Sequence, residues 1–105
     1  MVAVKKKKMS SVTLIGKRWF NRRKGSTYHS CEIIVDGREV HKIHYAYGYD
    51  DQWEWNAAAW LETNGYMSGR EHFENSSGES MWRYCERKSI LYVRRVDDVR
   101  RKKDL

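Results

Sequence analysis

Residues 27–46, TYHSCEIIVDGREVHKIHYA, predict two β-strands joined by a tight turn. The two strands, residues 27–35 and residues 38 to about 46, are rich in β-branched and aromatic side chains. Asp36-Gly37, which lies between them, is the strongest short signal for a two-residue hairpin in the chain. Residues 12–20 have the same strand character and precede a loop that contains Gly25. We therefore expect a three-stranded antiparallel meander.

The hydrophobic period changes after the third strand. Trp53, Ala57, Trp60 and Leu61 are spaced as one face of an α-helix, which we expect to cover one side of the sheet. An aspartate at position 50 or 51 caps the predicted helix, and Asn64-Gly65 ends it.

The rest of the chain predicts a loop, a short helix and a last strand. Residues 66–78 are polar, and residues 76–79, Ser-Ser-Gly-Glu, have the spacing of a capping box before a short helix. Residues 90–96 return to strand character. The predicted fold class is α+β: an antiparallel three- to four-stranded sheet with one main helix packed on one face, in the order β-β-β-α-α-β.

A chain of 105 residues suits a single domain. We expect that domain over residues 10–96, after a flexible lysine-rich lead-in at residues 1–9 and before a charged tail at residues 97–105. The longest apolar runs, residues 33–35 and 57–61, fall short of the roughly 20 residues that a membrane-spanning helix needs. No apolar signal-peptide segment follows the first lysines. We expect a cytoplasmic protein without a membrane partner.

Catalysis and metal binding find little support in the sequence. His41 and His44 point to opposite faces of a strand, and His29 with Cys31 supplies only two ligands where a closed zinc site needs four. No nucleophile motif, paired-carboxylate motif or phosphate-binding glycine loop is present. Cys31 and Cys85 have the character of reduced core residues, although a bond between them stays open. We expect no enzyme activity, no metal and no cofactor.

Positive charge is concentrated at the two ends of the chain. Residues 1–45 carry 11 basic and 3 acidic side chains, a net charge of +8. Residues 46–86 carry 2 basic and 8 acidic side chains, a net charge of −6. Residues 87–105 carry 8 basic and 3 acidic side chains, a net charge of +5. The ends attract phosphate and the middle repels it, which excludes a uniformly basic coat.

Cationic and aromatic side chains around the first hairpin and in the tail are therefore the predicted nucleic-acid site. Arginine forks pair with phosphates, and aromatic faces stack on bases. The predicted site residues are Lys17, Arg18, Trp19, Arg22, Arg23, Lys24, Arg100, Arg101, Lys102 and Lys103. An alternative is that Trp19 or Phe20 belongs to the core and that residues 22–24 only solubilise a loop tip.

Tyr45, Tyr47 and Tyr49 share one face of the third strand if that strand continues past Gly48. They are predicted surface aromatics. So many aromatic side chains are hard to bury within one short subunit, so we expect a homodimer.

Several segments resemble those of a family of small proteins encoded by bacteriophages and prophages. No activity is established for that family, so no functional residue is transferred from it, and residues 66–78 depart most from its pattern. The similar segments are Lys17-Arg18-Trp19-Phe20, Thr27-Tyr28-His29-Ser30, Val35-Asp36-Gly37, Tyr47-Gly48-Tyr49 and residues 98–105. The resemblance implies an accessory protein that binds nucleic acid, blocks a host protein or sequesters a defence signal.

Three functional hypotheses follow. The first is a non-enzymatic phage-type accessory protein, acting in the host cytoplasm, that binds an anionic nucleotide-containing partner through the basic hairpin and tail. The second is an inhibitor that contacts a host defence protein through the acidic, tryptophan-rich helix region. The third is an oligomeric sponge that encloses a signalling nucleotide between basic and aromatic residues.

Overall fold

Four strands, two helices and one short 3-10 turn make up the computed structural model, which describes residues 7–48, 50–70 and 79–105. The elements are β1 (Ser11–Asn21), β2 (Ser26–Val35), β3 (Arg38–Tyr47), α1 (Gln52–Thr63), α2 (Met81–Arg87), β4 (Leu91–Val99) and the 3-10 turn Lys102–Asp104. The α+β class predicted from the sequence is confirmed.

The antiparallel meander of β1, β2 and β3 forms as the hairpin signals predict. Asp36 and Gly37 have φ angles of 50° and 82°, so both central residues of the turn adopt the left-handed conformation that a two-residue hairpin favours. The Asp36 carboxylate also accepts hydrogen bonds from the backbone N–H groups of Ser10 (2.9 Å) and Ser11 (2.8 Å). One aspartate thus closes the β2–β3 turn and holds the start of β1.

The last strand corrects the predicted sheet. The strand order is β3-β2-β1-β4, and β4 runs parallel to β1, so the sheet is mixed and the antiparallel prediction was wrong. The chain leaves β3 at one edge, passes through both helices and returns at the far edge, and such a crossover permits parallel pairing. The 3-10 turn after β4 also departs from the predicted element order.

The last strand extends to Val99, three residues beyond its predicted end. Its acidic residues Asp97 and Asp98 pair in register with Lys17 and Arg18 of β1. Asp98 forms an ion pair with Arg18 across the two strands at 2.9 Å, and a pair of opposite charges on neighbouring strands favours the longer strand. The predicted tail is thereby shortened, and its basic residues begin directly where the sheet ends.

One face of the sheet carries the core, and both helices pack on it. Val12 and Leu14 of β1 and Ile33 of β2 alternate with more exposed neighbours and are fully buried. Residues from α1 and α2 join the same hydrophobic cluster. The opposite face of the sheet, called the open face below, carries the alternate residues of each strand.

The predicted face of α1 is correct except at one residue. Trp53, Ala57 and Leu61 are completely buried. Trp60 is only half-buried, because its ring lies at the edge of the core, stacked on His41 with a centroid distance of 4.5 Å. Trp53 instead occupies the centre.

Gly16 belongs to the core rather than to a turn. It lies within β1, where a Cβ would stand 2.6 Å from the Trp53 ring, so only glycine leaves room for that side chain. Glycine is required at position 16 because the Trp53 ring occupies the space of a side chain, and not because of an unusual backbone conformation.

The two helix starts differ from the predicted caps. Asp51 precedes α1 without a capping hydrogen bond from its side chain and pairs instead with Arg94. Ser80 caps α2, since its hydroxyl accepts a hydrogen bond from the backbone N–H of Arg83 at 3.2 Å. Residues 76–78 of the predicted capping box lie outside the described residues. No helix in the described ranges is long and apolar enough to span a membrane.

Residues 1–6 of the predicted lead-in also lie outside the described residues. Two of the three residues that follow, Lys7 and Met9, already contact the domain. Lys7 donates a backbone hydrogen bond to the Gly65 carbonyl at 2.9 Å, and Met9 is buried in the core. The domain therefore includes the end of the segment that was predicted to be flexible.

Candidate nucleic-acid interface

Parallel pairing of β1 and β4 brings the two basic segments of the chain to one end of the sheet. Trp19 of β1 pairs in register with Val99 of β4. Both strands therefore end together, and Arg22 and Arg23 of the hairpin line the same groove as Arg100 of the tail. Both segments were predicted from the sequence as anion-binding, but no local pattern indicated that they meet.

A groove opens between these two segments, and it is called the basic groove below. Residues 19–23 of β1 and the hairpin form one wall, and Val99 and Arg100 form the other. Its volume is about 980 Å³. Phe20 is 55% exposed there, so the alternative that Trp19 or Phe20 is a core residue does not hold for Phe20.

The hairpin that carries two of the arginines is fixed by its own backbone contacts. The Asn21 side-chain oxygen accepts hydrogen bonds from the backbone N–H groups of Arg23 (3.0 Å) and Lys24 (3.4 Å). The backbone N–H of Gly25, whose φ is 66°, donates to the Asn21 carbonyl at 2.8 Å. The loop backbone is thus held in place while the side chains of residues 22–24 are exposed.

Lys17 and Arg18, also predicted as site residues, lie further from the basic groove. Arg18 faces the helices and makes a two-point contact with Asp98, with Nε–Oδ1 and Nη2–Oδ2 distances of 2.9 and 3.3 Å. It also donates to the Asp50 carbonyl at 3.3 Å. Lys17 is half-buried on the open face, in register with Asp97. Arg18 therefore links β1, β4 and the start of the helical region.

Four aromatic rings cluster on the open face next to the basic groove. Tyr28 is at the centre: its ring stacks on Trp19 (5.8 Å between centroids) and on Tyr45 (4.8 Å) and meets Tyr47 edge-on (5.7 Å). Tyr45 and Tyr47 are 46% and 62% exposed. We call Trp19, Tyr28, Tyr45 and Tyr47 the aromatic ladder. Tyr49 lies outside the described residues.

Tyr28 was missing from the predicted site. The signal for it is the pairing register rather than its own sequence neighbourhood, because Tyr28 faces Trp19 on one neighbouring strand and Tyr47 on the other. Burial beside these rings, with a smaller contribution from the Tyr28 hydroxyl, raises the pKa of Tyr45. The Tyr45 phenol is therefore uncharged at neutral pH.

The tail reaches across the open face to the ladder. Lys102 Nζ stands 4.9 Å from the centroid of the Tyr45 ring, a cation–π contact. Tyr45 is on β3 and the tail leaves from β4, so the tail and the Lys102 side chain cross three strand intervals of about 4.8 Å each. Arg101 pairs with Asp104 at 3.3 Å within the 3-10 turn. The predicted tail residues thus have different roles.

The acidic helix region, the predicted surface for a host protein, is largely engaged within the fold. Glu54 pairs with Arg94 and accepts a short hydrogen bond from the Tyr92 hydroxyl. Burial, with the Glu54 contact second, raises the pKa of Tyr92. Trp53 is fully buried and inaccessible to a partner. Among the described residues, the most exposed tryptophan is Trp82 on α2, with an exposed fraction of 63%.

The core encloses His29, Cys31 and Cys85, three of the residues considered for metal binding or nucleophilic chemistry. His29 is buried, with Nδ1 3.0 Å from the Gly48 carbonyl oxygen and Nε2 2.9 Å from the Asn56 amide nitrogen. Burial raises the pKa of the Cys31 thiol to about 12 and that of Cys85 to about 11, so both are neutral thiols. Within the described ranges, no three His, Cys, Asp or Glu side chains are grouped to hold a metal ion.

No protein-family model, curated protein or solved structure matches the chain. The bacteriophage resemblance of the quoted segments therefore stays a prediction. Functional assignment rests on the geometry and charge of the basic groove.

Proposed function

We propose that this chain is a small non-enzymatic accessory protein of bacteriophage type that binds nucleic acid in the basic groove. One observation carries the proposal: Arg22, Arg23 and Arg100 line a groove together with Trp19 and Phe20. Guanidinium groups make two-point contacts with phosphates, and aromatic faces contact bases. The groove therefore offers both kinds of contact in one place.

The groove arginines have a surplus of positive charge. Among the described residues, no carboxylate lies within ion-pairing distance of Arg22, Arg23 or Arg100. By contrast, Arg18 and Arg94 each pair with carboxylates of the fold. Clustered cations without internal partners attract a polyanion and raise its association rate. This contrast supports an external anion as their partner.

The test is fluorescence anisotropy with labelled DNA and RNA oligonucleotides across a salt series. The decisive variant combines Arg22→Ala, Arg23→Ala and Arg100→Ala. Each lost phosphate contact should reduce the slope of log affinity against log salt by about 0.7 to 0.9, so the triple variant should flatten the slope by about 2 to 3.

A matched control removes the same charge elsewhere. Lys8, Arg38 and Lys88 are exposed near the opposite end of the sheet, where Ser11 pairs with Leu91 and the Asp36 turn closes. Their combined replacement by alanine should leave the salt slope close to that of the wild type. Equal losses in the two triple variants would show that net charge, not the groove, determines binding.

The same titration separates the rival hypotheses. A host-protein inhibitor shows no salt-dependent binding to any oligonucleotide. A nucleotide sponge binds mononucleotides that compete with the oligonucleotide, and it needs a second copy to close the open groove. Light scattering that finds a monomer at tens of micromolar would therefore remove the sponge hypothesis and the predicted dimer together.

A further inference from the structure

Trp19 belongs to two surfaces at once. It is one of the residues that line the basic groove, and its ring stacks on Tyr28 of the aromatic ladder. A nucleic-acid chain held by Arg22 and Arg100 therefore meets a continuous row of rings that starts inside the groove. The ladder and the groove are one surface.

The rings of the ladder cover one another's faces except at the ends of the series. Trp19, Tyr28 and Tyr45 form a stacked series with interplanar angles of 29° and 10°. Tyr47, the most exposed member, stands edge-on to Tyr28. Exposed aromatic rings on a sheet beside cationic groups suit bases that have left their own stack, because every base has a π-face.

Positive charge accompanies the ladder. Lys102 lies over Tyr45, and Lys17 is on the same open face. A phosphate chain that follows the rings thus passes cations along its way. A duplex makes little use of such a row, because its bases are already stacked on one another and offer only their edges in the grooves.

We propose that the aromatic ladder binds unpaired bases, so that the nucleic acid held in the basic groove is single-stranded. This inference rests on the proposed function of the groove. The phosphates contact Arg22, Arg23 and Arg100, and unpaired bases stack on the outer face of Tyr45 and on Tyr47, the two exposed members of the ladder. A base that stacks on the exposed face of Tyr45 takes the place of Lys102, whose ammonium group is then released to a phosphate.

Three probes of equal length separate stacking from charge: an unstructured oligothymidine, the same strand paired in a duplex, and an abasic strand with the same phosphates but no bases. We expect the oligothymidine to bind about tenfold or more tightly than the abasic strand, since each stacked base contributes that order of affinity. Duplex should bind more weakly than the single strand.

The ladder variants give the second readout. Tyr47→Ala and Tyr45→Ala should each weaken binding of the oligothymidine about tenfold and leave the abasic strand unchanged. Tyr47→Phe keeps the ring and should bind like the wild type, which separates stacking from any fault in folding. Trp82→Ala, at an exposed site on α2, is the control that removes an aromatic side chain elsewhere.

The outcomes distinguish the two proposals. Equal affinity for all three probes, together with weakening by the Arg22/Arg23/Arg100 triple variant, overturns the stacking inference and leaves nucleic-acid binding in the groove intact. Tighter binding of duplex than of single strand would also overturn the stacking inference and leave nucleic-acid binding in the groove intact. No binding to any probe at low salt overturns both.

Discussion

Arginines packed against the helices and arginines at the basic groove have opposite surroundings. Arg94 of β4 pairs with Asp51 at 3.1 Å and Glu54 at 3.3 Å and lies 4.9 Å from the centroid of the Trp53 ring. Arg22 and Arg23 lie on an exposed hairpin without a carboxylate partner among the described residues. One region satisfies its charges within the fold, and the other leaves them for a partner.

The aromatic side chains show the same division. Trp53 is fully buried against Gly16 on the helix-covered face. On the open face, Tyr45 stacks on Tyr28 and Tyr47 meets it edge-on, and yet the two are 46% and 62% exposed. The same residue types therefore contribute to stability on one face of the sheet and are available for binding on the other. Mutations should separate these two roles.

The largest effect is expected at the centre of the covered face. Trp53→Ala should lower the free energy of unfolding by about 3–5 kcal/mol, because it removes a buried aromatic side chain and leaves a cavity. Urea denaturation measures the change. Trp82→Ala, at a 63% exposed position, should change it by less than about 0.5 kcal/mol. Similar costs for the two variants would contradict the assigned core.

An intermediate effect on the free energy of unfolding is expected for Glu54, the buried carboxylate that contacts Tyr92 and Arg94 of β4. Glu54→Gln should cost about 2 kcal/mol, because Glu54 is 8% exposed and both accepts the Tyr92 hydroxyl and pairs with Arg94. Asp98→Asn, the matched change at the exposed pair with Arg18, should cost less than about 1 kcal/mol. Thermal or urea unfolding of the two variants ranks them, and the reverse order would contradict the contrast.

Local structure was largely predictable from the sequence because its signals are local. Asp36-Gly37 specifies a hairpin by backbone conformation alone, and the spacing of Trp53, Ala57 and Leu61 specifies one helical face. Trp60 shares that spacing, yet it lies at the edge of the core, where its ring stacks on His41. Periodicity gives the side of a helix and not the depth of each residue.

The site was predicted in pieces but not as a whole. The basic hairpin and the tail are visible as charge runs, whereas their meeting depends on the parallel direction of β4. That direction is set by the crossover through α1 and α2, which no short pattern in β4 records. Tyr28 was missed for the same reason, since only the register with Trp19 and Tyr47 makes it the centre of the ladder.

The His29 contacts predict a loss of stability in acid. Burial lowers the pKa of His29 from 6.5, and the hydrogen bond to the Gly48 carbonyl opposes this only in part. These partners assign the tautomer of the neutral ring: its Nδ1–H donates to the Gly48 carbonyl, and its Nε2 accepts from the Asn56 amide.

Folding stability should decrease as the pH falls, because His29 has a lower pKa in the folded chain than in the unfolded chain. The unfolded chain takes up a proton near pH 6.5, while the folded chain does so only at lower pH. The contribution is complete above pH 6.5 and is lost as pH falls through the folded pKa, by up to about 1.4 kcal/mol per pH unit within that window. Urea denaturation at pH 7.5 and 5.0 measures the loss. His29→Gln should remove much of this dependence, and the exposed His44→Gln should retain it.

The smallest effect, and the one that bears most on function, is expected at the groove arginines. Arg22→Ala and Arg23→Ala together should leave the free energy of unfolding unchanged or raise it by up to about 0.5 kcal/mol at low salt, because they relieve repulsion from Lys24 and from Arg100 across the groove. The gain should vanish at 1 M salt, where the screening length is about 3 Å. Urea denaturation at both salt concentrations measures it. A loss of more than about 1 kcal/mol would mean that these arginines stabilise the fold, and the contrast with Arg94 would then no longer hold. A neutral or stabilising result combined with weaker oligonucleotide binding is the pattern that a binding surface produces, since its charges contribute nothing until the partner arrives.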